Sequence, residues 1–228
     1  DTKFQRAYVN GKIGGVEVQA GRYHWTDFNG GSIYDTRMDG IQLGYGKDVK
    51  LVVSAGKANK ADVAKDMYTA ELGTKIGVVD AKVGYYNFKE ALALTDTKIW
   101  TVGAALAIAK DLKLGATYLN ADVDDYNGDD DGYVISLDYK GAKAAVAGSW
   151  GLFAKYYDQG AGTYIAHTAE ADVIDANNED SEGFKGYMVG ANYTVAKNIV
   201  GAVKYYDLEA KKGEGDQKTL YAELNFMF

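Results

Sequence analysis

The chain has 228 residues, a formal net charge of −7, no proline and no cysteine, but 28 glycines and 19 tyrosines. The absence of cysteine excludes disulfide frameworks, thiolate zinc sites and cysteine nucleophiles. The acidic balance argues against a nucleic-acid partner, whose phosphates demand a basic surface.

Apolar and polar residues alternate with period two along nearly the whole chain, which predicts β-strands. In chain order they fall at 4–10, 15–26, 38–46, 49–57, 67–76, 78–89, 97–109, 112–121, 133–140, 143–157, 184–196, 199–208 and 218–228. Most are about 9–13 residues long, against ~5–6 in a typical soluble sheet. That length suits a tilted strand crossing a bilayer, which needs ~9–11 residues. No apolar run approaches the ~20 residues of a membrane helix. The chain starts at Asp1 with no signal-peptide pattern, so it is expected to be processed or cut at its N-terminus.

The connections alternate in kind. Short ones, "KD" at 47–48, "KD" at 110–111, "GAK" at 141–143 and "KN" at 197–198, carry the residues of tight hairpin turns. Long polar ones occupy 27–37, 58–66, 90–96, 122–132, 158–183 and 209–217. Short turns at one end and long loops at the other predict an all-β, up-and-down antiparallel transmembrane β-barrel.

The tetrapeptide "KYYD" occurs at 155–158 and 204–207, with "GYYN" at 84–87 and "TYLN" at 117–120 as looser copies. Neighbouring residues on a strand point to opposite faces. Each copy ends a strand about to enter a long loop, where a barrel meets the membrane–water boundary. One ring is expected at the headgroups and the other in the lumen. Generic β-propensity of tyrosine is the blander account.

Parity also sorts the charges. Glu71, Lys75, Asp80, Lys82, Lys113, Asp138, Lys155, Lys204 and Glu223 alternate with apolar or aromatic neighbours, so they are expected to line water inside the barrel. Arg6 alternates with Ala7 and Val9 and joins them. Arg22 shares parity with Val16, Val18 and Ala20, which aims it at lipid unless a bulge or a neighbouring subunit intervenes. The net charge predicts a weak cation preference.

The C-terminal "LYAELNFMF" resembles the last strand of bacterial outer-membrane barrels, with Tyr221, Phe226 and Phe228 as the aromatic signal read by the insertion machinery. The segment 6–25, "RAYVNGKIGGVEVQAGRYHW", resembles the fourth and fifth strands of general trimeric porins. That resemblance implies three preceding strands and a sixteen-stranded barrel, of which thirteen are in this chain. Parity agrees, since a first and last strand running the same way need an odd number more to close. The 151–168 stretch "GLFAKYYDQGAGTYIAHT" is most similar to porins of diderm Firmicutes, whose S-layer-homology domain grips peptidoglycan. The resemblance implies an outer-membrane location, lipid and lipopolysaccharide contacts, a homotrimer with Arg22 at the subunit contact, and no cofactor.

It also places Arg6 in the basic wall of a constriction, with Asp27, Asp35 and Arg37 of the following loop as further constriction candidates. That loop is much shorter than its porin counterpart. The 158–183 loop competes for the role, and a solvated acidic lid is the alternative for it. Residues 127–138 match calcium-loop spacing at Asn127, Asp129 and Asp131. A strand from 133, however, would carry the twelfth position, Asp138, ~20 Å away, so a solvated acidic loop is the other reading. His24 and His167 are isolated and read as structural. No nucleophile–base pair emerges, so an enzyme is not expected. A porin passing small hydrophilic solutes is the leading reading. An envelope-tethering barrel and a soluble carbohydrate-binding β-protein stay open beside it.

Overall fold

The computed structural model describes residues 5–58, 64–91, 95–124, 128–169 and 182–227. They contain thirteen strands: β1 (Ala7–Ile13), β2 (Val16–Thr26), β3 (Asp35–Tyr45), β4 (Val49–Ala58), β5 (Asp66–Ile76), β6 (Val79–Lys89), β7 (Thr97–Ala109), β8 (Leu112–Val123), β9 (Asp131–Lys140), β10 (Trp150–Gln159), β11 (Phe184–Ala196), β12 (Ile199–Ala210) and β13 (Asp216–Phe226). Each pairs antiparallel with its neighbours in sequence, in one sheet ordered β1 to β13. The sheet curls on itself, so that Lys155 of β10 reaches the β2–β3 loop, 126 residues away in sequence. This is the predicted up-and-down barrel architecture; β1 and β13 are its two edges.

All thirteen predicted strands are present; the third starts at Asp35 rather than 38, which shortens the predicted 27–37 loop, and two others are shifted. The first runs to Ile13 rather than ending at 10, because Gly14 and Gly15, both at positive φ, make the turn and Gly11 does not. The predicted strand 143–157 starts only at Trp150. Residues 141–149 instead fold into a connection whose backbone groups find other partners. Lys143 N donates to Ser149 Oγ at 2.7 Å, Ala142 N to Asn192 Oδ1 at 2.9 Å and Gly148 N to Thr194 O at 2.8 Å. The alternation in "KAAVAGSW" therefore does not mark a ladder. The turns at 110–111 and 197–198 behave as read, with Asp111 and Asn198 at positive φ, whereas at 47–48 it is the preceding Gly46 that takes the positive φ.

Alternation divides every strand between two faces. Outside lie large apolar side chains such as Val102, Leu152, Leu220 and Phe226, each at least half exposed. Inside, the loop-end half is packed rather than open. Tyr23, Trp25, Ile33, Tyr34, Met67, Phe88, Tyr164 and Phe184 belong to a buried apolar cluster. This packing narrows the interior at that level. The physical reason is that two loops fold inward and bury aromatic side chains there.

The tyrosine motif spans the wall. Its second residues, Tyr86, Leu119, Tyr157 and Tyr206, are buried on the inner face. Its first residues point out, where Tyr85 meets Trp100 at 4.4 Å between ring centroids and Tyr133 meets Tyr156 at 6.2 Å. With Tyr68, Tyr118, Tyr187 and Tyr205 they form an aromatic belt around β5–β12. The belt stops at β5: following the register from Tyr68, the outer positions are Ala55, Ile41 and Ala20.

Candidate functional site

The β2–β3 loop, residues 27–34, enters the barrel. Asp27 holds its neck by accepting backbone N–H groups of Asn29 (2.7 Å), Ile33 (2.8 Å) and Tyr34 (3.0 Å). Beyond the neck the loop is gripped by the wall. Phe28 N donates to Glu71 Oε1 at 2.7 Å, and Tyr86 OH donates to the same oxygen at 2.9 Å. Lys82 Nζ donates to Phe28 O at 2.8 Å, and Lys155 Nζ to Asn29 O and Gly30 O at 3.3 Å each. Gln159 Nε2 reaches Ser32 O at 3.0 Å.

A second segment, residues 160–169 after β10, lies against the first. Ile165 N and Ala166 N donate to Ile33 O at 2.9 and 3.0 Å, Asp35 N to Ala166 O at 2.9 Å, and Thr168 N to Gly31 O at 2.8 Å. Tyr34 and Ala166 form a parallel bridge. Gly31 sits at φ +78, and a Cβ there would lie 2.8 Å from Cβ of both Asp35 and Thr168. The two competing loops of the sequence reading are thus one inserted unit. The apolar "TYIAHTA" stretch packs, while the acidic residues of 170–181 lie outside the described residues.

His167 closes this unit. Its ring stands edge-on to Tyr157 and Phe184, with centroids 4.9 and 5.0 Å away, and Nδ1 accepts Ala169 N at 3.1 Å. Burial pushes its pKa down to about 3, helped by Lys155 and opposed by Asp35. The undocked segment would titrate near the ordinary ~6.5. Undocking therefore takes up a proton, and docking should weaken as pH falls from about 6.5 toward 3. Asp27, pushed up by the same burial, titrates in the opposite sense. A His167→Phe variant isolates the histidine part. In a Trp100→Phe/Trp150→Phe background, Trp25 emission should shift red on acidification, and the His167→Phe protein should lack that shift.

All ten predicted lumen residues lie on or at the inner face, but they divide into two kinds. Glu71 is buried beneath the inserted loop, and Lys155 is half-buried against it, so both hold the loop instead of lining open water. Lys75, Asp80, Lys82, Lys113, Asp138, Lys204 and Glu223 remain on the wall. Arg6 shares a groove of about 440 Å³ with His24, Asp35, Lys204, Tyr221 and Glu223.

The constriction candidates are corrected in part. Asp27 is buried and serves the loop's own backbone. Arg37 lies on the face opposite buried Met38, where its guanidinium meets the Gln5 side chain. Asp35 accepts from His24 at 2.7 Å and Thr26 at 2.6 Å at the edge of the groove. A loop closed by a buried carboxylate cannot present that carboxylate to solutes.

Arg22 faces outward, as parity predicts, with no bulge between it and β1 or β3. It is paired within the chain: Nε and Nη2 each donate to an Asp39 carboxylate oxygen at 2.7 Å. Tyr221 lies on the inner face with Lys204 Nζ 5.3 Å from its ring centroid, Phe226 points out, and Phe228 lies outside the described residues. Asp129 is taken by Lys211, which also pairs with Asp158 at 2.7 Å. Asn127 lies outside the described residues, among which no three metal-ligating side chains cluster.

Sequence reasoning missed Lys12, Glu17 and Lys50, which form an inner-wall group at the turn end. Ending the first strand at residue 10 hid Lys12. The usable signal was symmetry, since Lys12 and Glu17 stand two residues either side of the Gly14–Gly15 turn.

No protein-family model and no curated protein matches the chain. Solved structures do. The anion-selective porin from Comamonas acidovorans matches with a TM-score of 0.57 at 16% identity, over 96% of this chain and 72% of that one. Pseudomonas putida OprB matches with a TM-score of 0.57 at 13% identity, over 96% and 71%. A triple mutant of the Rhodopseudomonas blastica porin matches with a TM-score of 0.57 at 14% identity, over 96% and 75%. The fold is that of these porin barrels.

Proposed function

We propose that the chain forms most of the wall, and the inserted constriction, of a bacterial outer-membrane porin that passes small hydrophilic solutes and ions by passive diffusion. The observation that carries this is the division of the sheet: an exposed apolar outer face with an aromatic belt, and a charged inner face partly closed by inserted loops. The belt marks the headgroup level. The charged wall stays hydrated only if the interior holds water. The mechanism is sieving and electrostatic filtering, with no bond made or broken.

An unpaired strand edge is not tolerated in hydrocarbon. Because β1 and β13 run in the same direction, an odd number of further strands must lie between them. Three would give the sixteen strands that the porin resemblance implies. Where the belt is missing, β2–β4 present Ala20, Ile41 and Ala55 below the Arg22–Asp39 pair. Two alanines and an isoleucine without interfacial aromatics suit a protein neighbour better than lipid, so this wall is assigned to the contact of a homotrimer. Lipid and lipopolysaccharide would cover the rest, and Phe226 would stand at the end read by the insertion machinery.

Purified protein in planar bilayers should give stable open-channel currents. Their absence from correctly folded barrel would sink the porin reading. For the contact, Arg22→Ala leaves Asp39 without its bidentate partner on that wall. A trimer surviving mild detergent in the parent should dissociate more readily in this variant, measured by native mass. An unchanged trimer would move the contact elsewhere.

A further inference from the structure

We infer that the channel prefers small anions, although the whole chain is acidic. This rests on the porin reading and adds the class of solute. The strand register assigns each charged wall residue to the inner or the outer face.

Among the described residues of the inner wall, basic side chains outnumber accessible carboxylates. Glu17 lies 3.4 Å from Lys12 and 2.9 Å from Lys50. Asp80 accepts from Lys113 and stands directly across the ladder from Lys75. Glu223 lies 3.4 Å from Lys204 in the groove that also holds Arg6 and Asp35, the latter bonded to His24 and Thr26. Asp138 faces the same Lys113 across the ladder. Lys82 is exposed and donates to the carbonyl of Phe28, a neutral acceptor, so its charge is added to the wall. Buried Glu71 is engaged by Phe28 N and Tyr86 OH, and Asp27 by the backbone of its own loop.

The acidity of the chain lies elsewhere. Asp124, Asp129, Asp131, Glu209, Glu214 and Asp216 lie at or beyond the loop ends of β8, β9, β12 and β13. There the passage opens to bulk solvent and salt screens a charge beyond ~8 Å. In a narrowed lumen, by contrast, a solute passes within reach of the wall. Rings of basic side chains set anion preference in such pores. The mouth collects cations weakly, and the wall beyond it rejects them.

The test is the reversal potential of the membrane-inserted protein under a tenfold potassium chloride gradient. Chloride should permeate severalfold better than potassium. Lys50→Glu with Lys12→Glu should bring the ratio to unity or below, and Lys204→Glu should do so independently. Asp124→Asn with Glu214→Gln, at the mouth, should leave it unchanged at high salt. Heat-modifiable migration in detergent identifies any variant that has not folded, and the two wall positions back each other up. A parent channel that favours potassium or shows no preference overturns the inference while leaving the porin reading intact. Folded protein without any conductance overturns both.

Discussion

Asp27→Ala is expected to raise single-channel conductance severalfold. The Asp27 carboxylate accepts three backbone N–H groups inside the barrel. Hydrogen bonds to an ionised acceptor are each worth roughly 1.5–3 kcal/mol, and buried donors left without one add a desolvation cost. Alanine supplies no acceptor, so the neck of the 27–34 loop opens and the grip of Glu71, Lys82 and Lys155 acts on a segment without fixed shape. The loop should leave the lumen and widen the passage. Gly31→Val attacks the same unit from the other side, because its side chain collides with Thr168 and Asp35. Both variants should behave alike, with larger currents and more frequent switching between levels. If both fold and conduct like the parent, the inserted loops are not the constriction.

Thiol labelling should show an alternation just as large. Lys82→Cys, Lys113→Cys and Glu223→Cys place a thiol on the inner wall, and a small charged reagent should modify them and reduce the current. Val83→Cys, Leu114→Cys and Leu224→Cys lie one residue along, on the outer face. There lipid or a neighbouring subunit should slow the reaction by on the order of tenfold or more, since a charged reagent does not enter hydrocarbon. Glu71→Cys is the informative exception. It faces inward yet is covered by Phe28 and Tyr86, so it should resist labelling in the parent background and react once Asp27→Ala releases the loop. Equal labelling of both sets would contradict the assignment of faces.

The strands were legible because their cause is local. A residue's face follows from whether its number is odd or even within the strand, so the alternation in "KTLYAELNFMF" or "YVISLDYK" already separates wall from exterior. The tyrosine pairs were legible for the same reason: adjacent residues must face opposite ways, and each pair occurs next to a long loop. Two boundaries failed where alternation and pairing part company. In 143–149 small residues alternate by chance, while Ser149 and Asn192 satisfy the backbone that a neighbouring strand would otherwise pair.

The sequence by itself therefore determined the all-β up-and-down architecture, the outward and inward faces, and the outward direction of Arg22. Each of these needs only the period of the strand and the chemistry of its turns. Tertiary structure alone decided how the loops are used. Nothing in residues 27–34 announces that Asp27 turns back on its own backbone, or that Ile33 pairs with Ile165 and Ala166. The Ile33 contacts join segments more than 120 residues apart, and they exist only once the sheet has curled enough to bring β2 opposite β10. The same curling collects the lysines of separate strands on one wall, whereas Arg22 meets Asp39 through the β2–β3 register. Composition sums charge over the whole chain, whereas a solute inside the barrel meets only the face that the fold turns toward it.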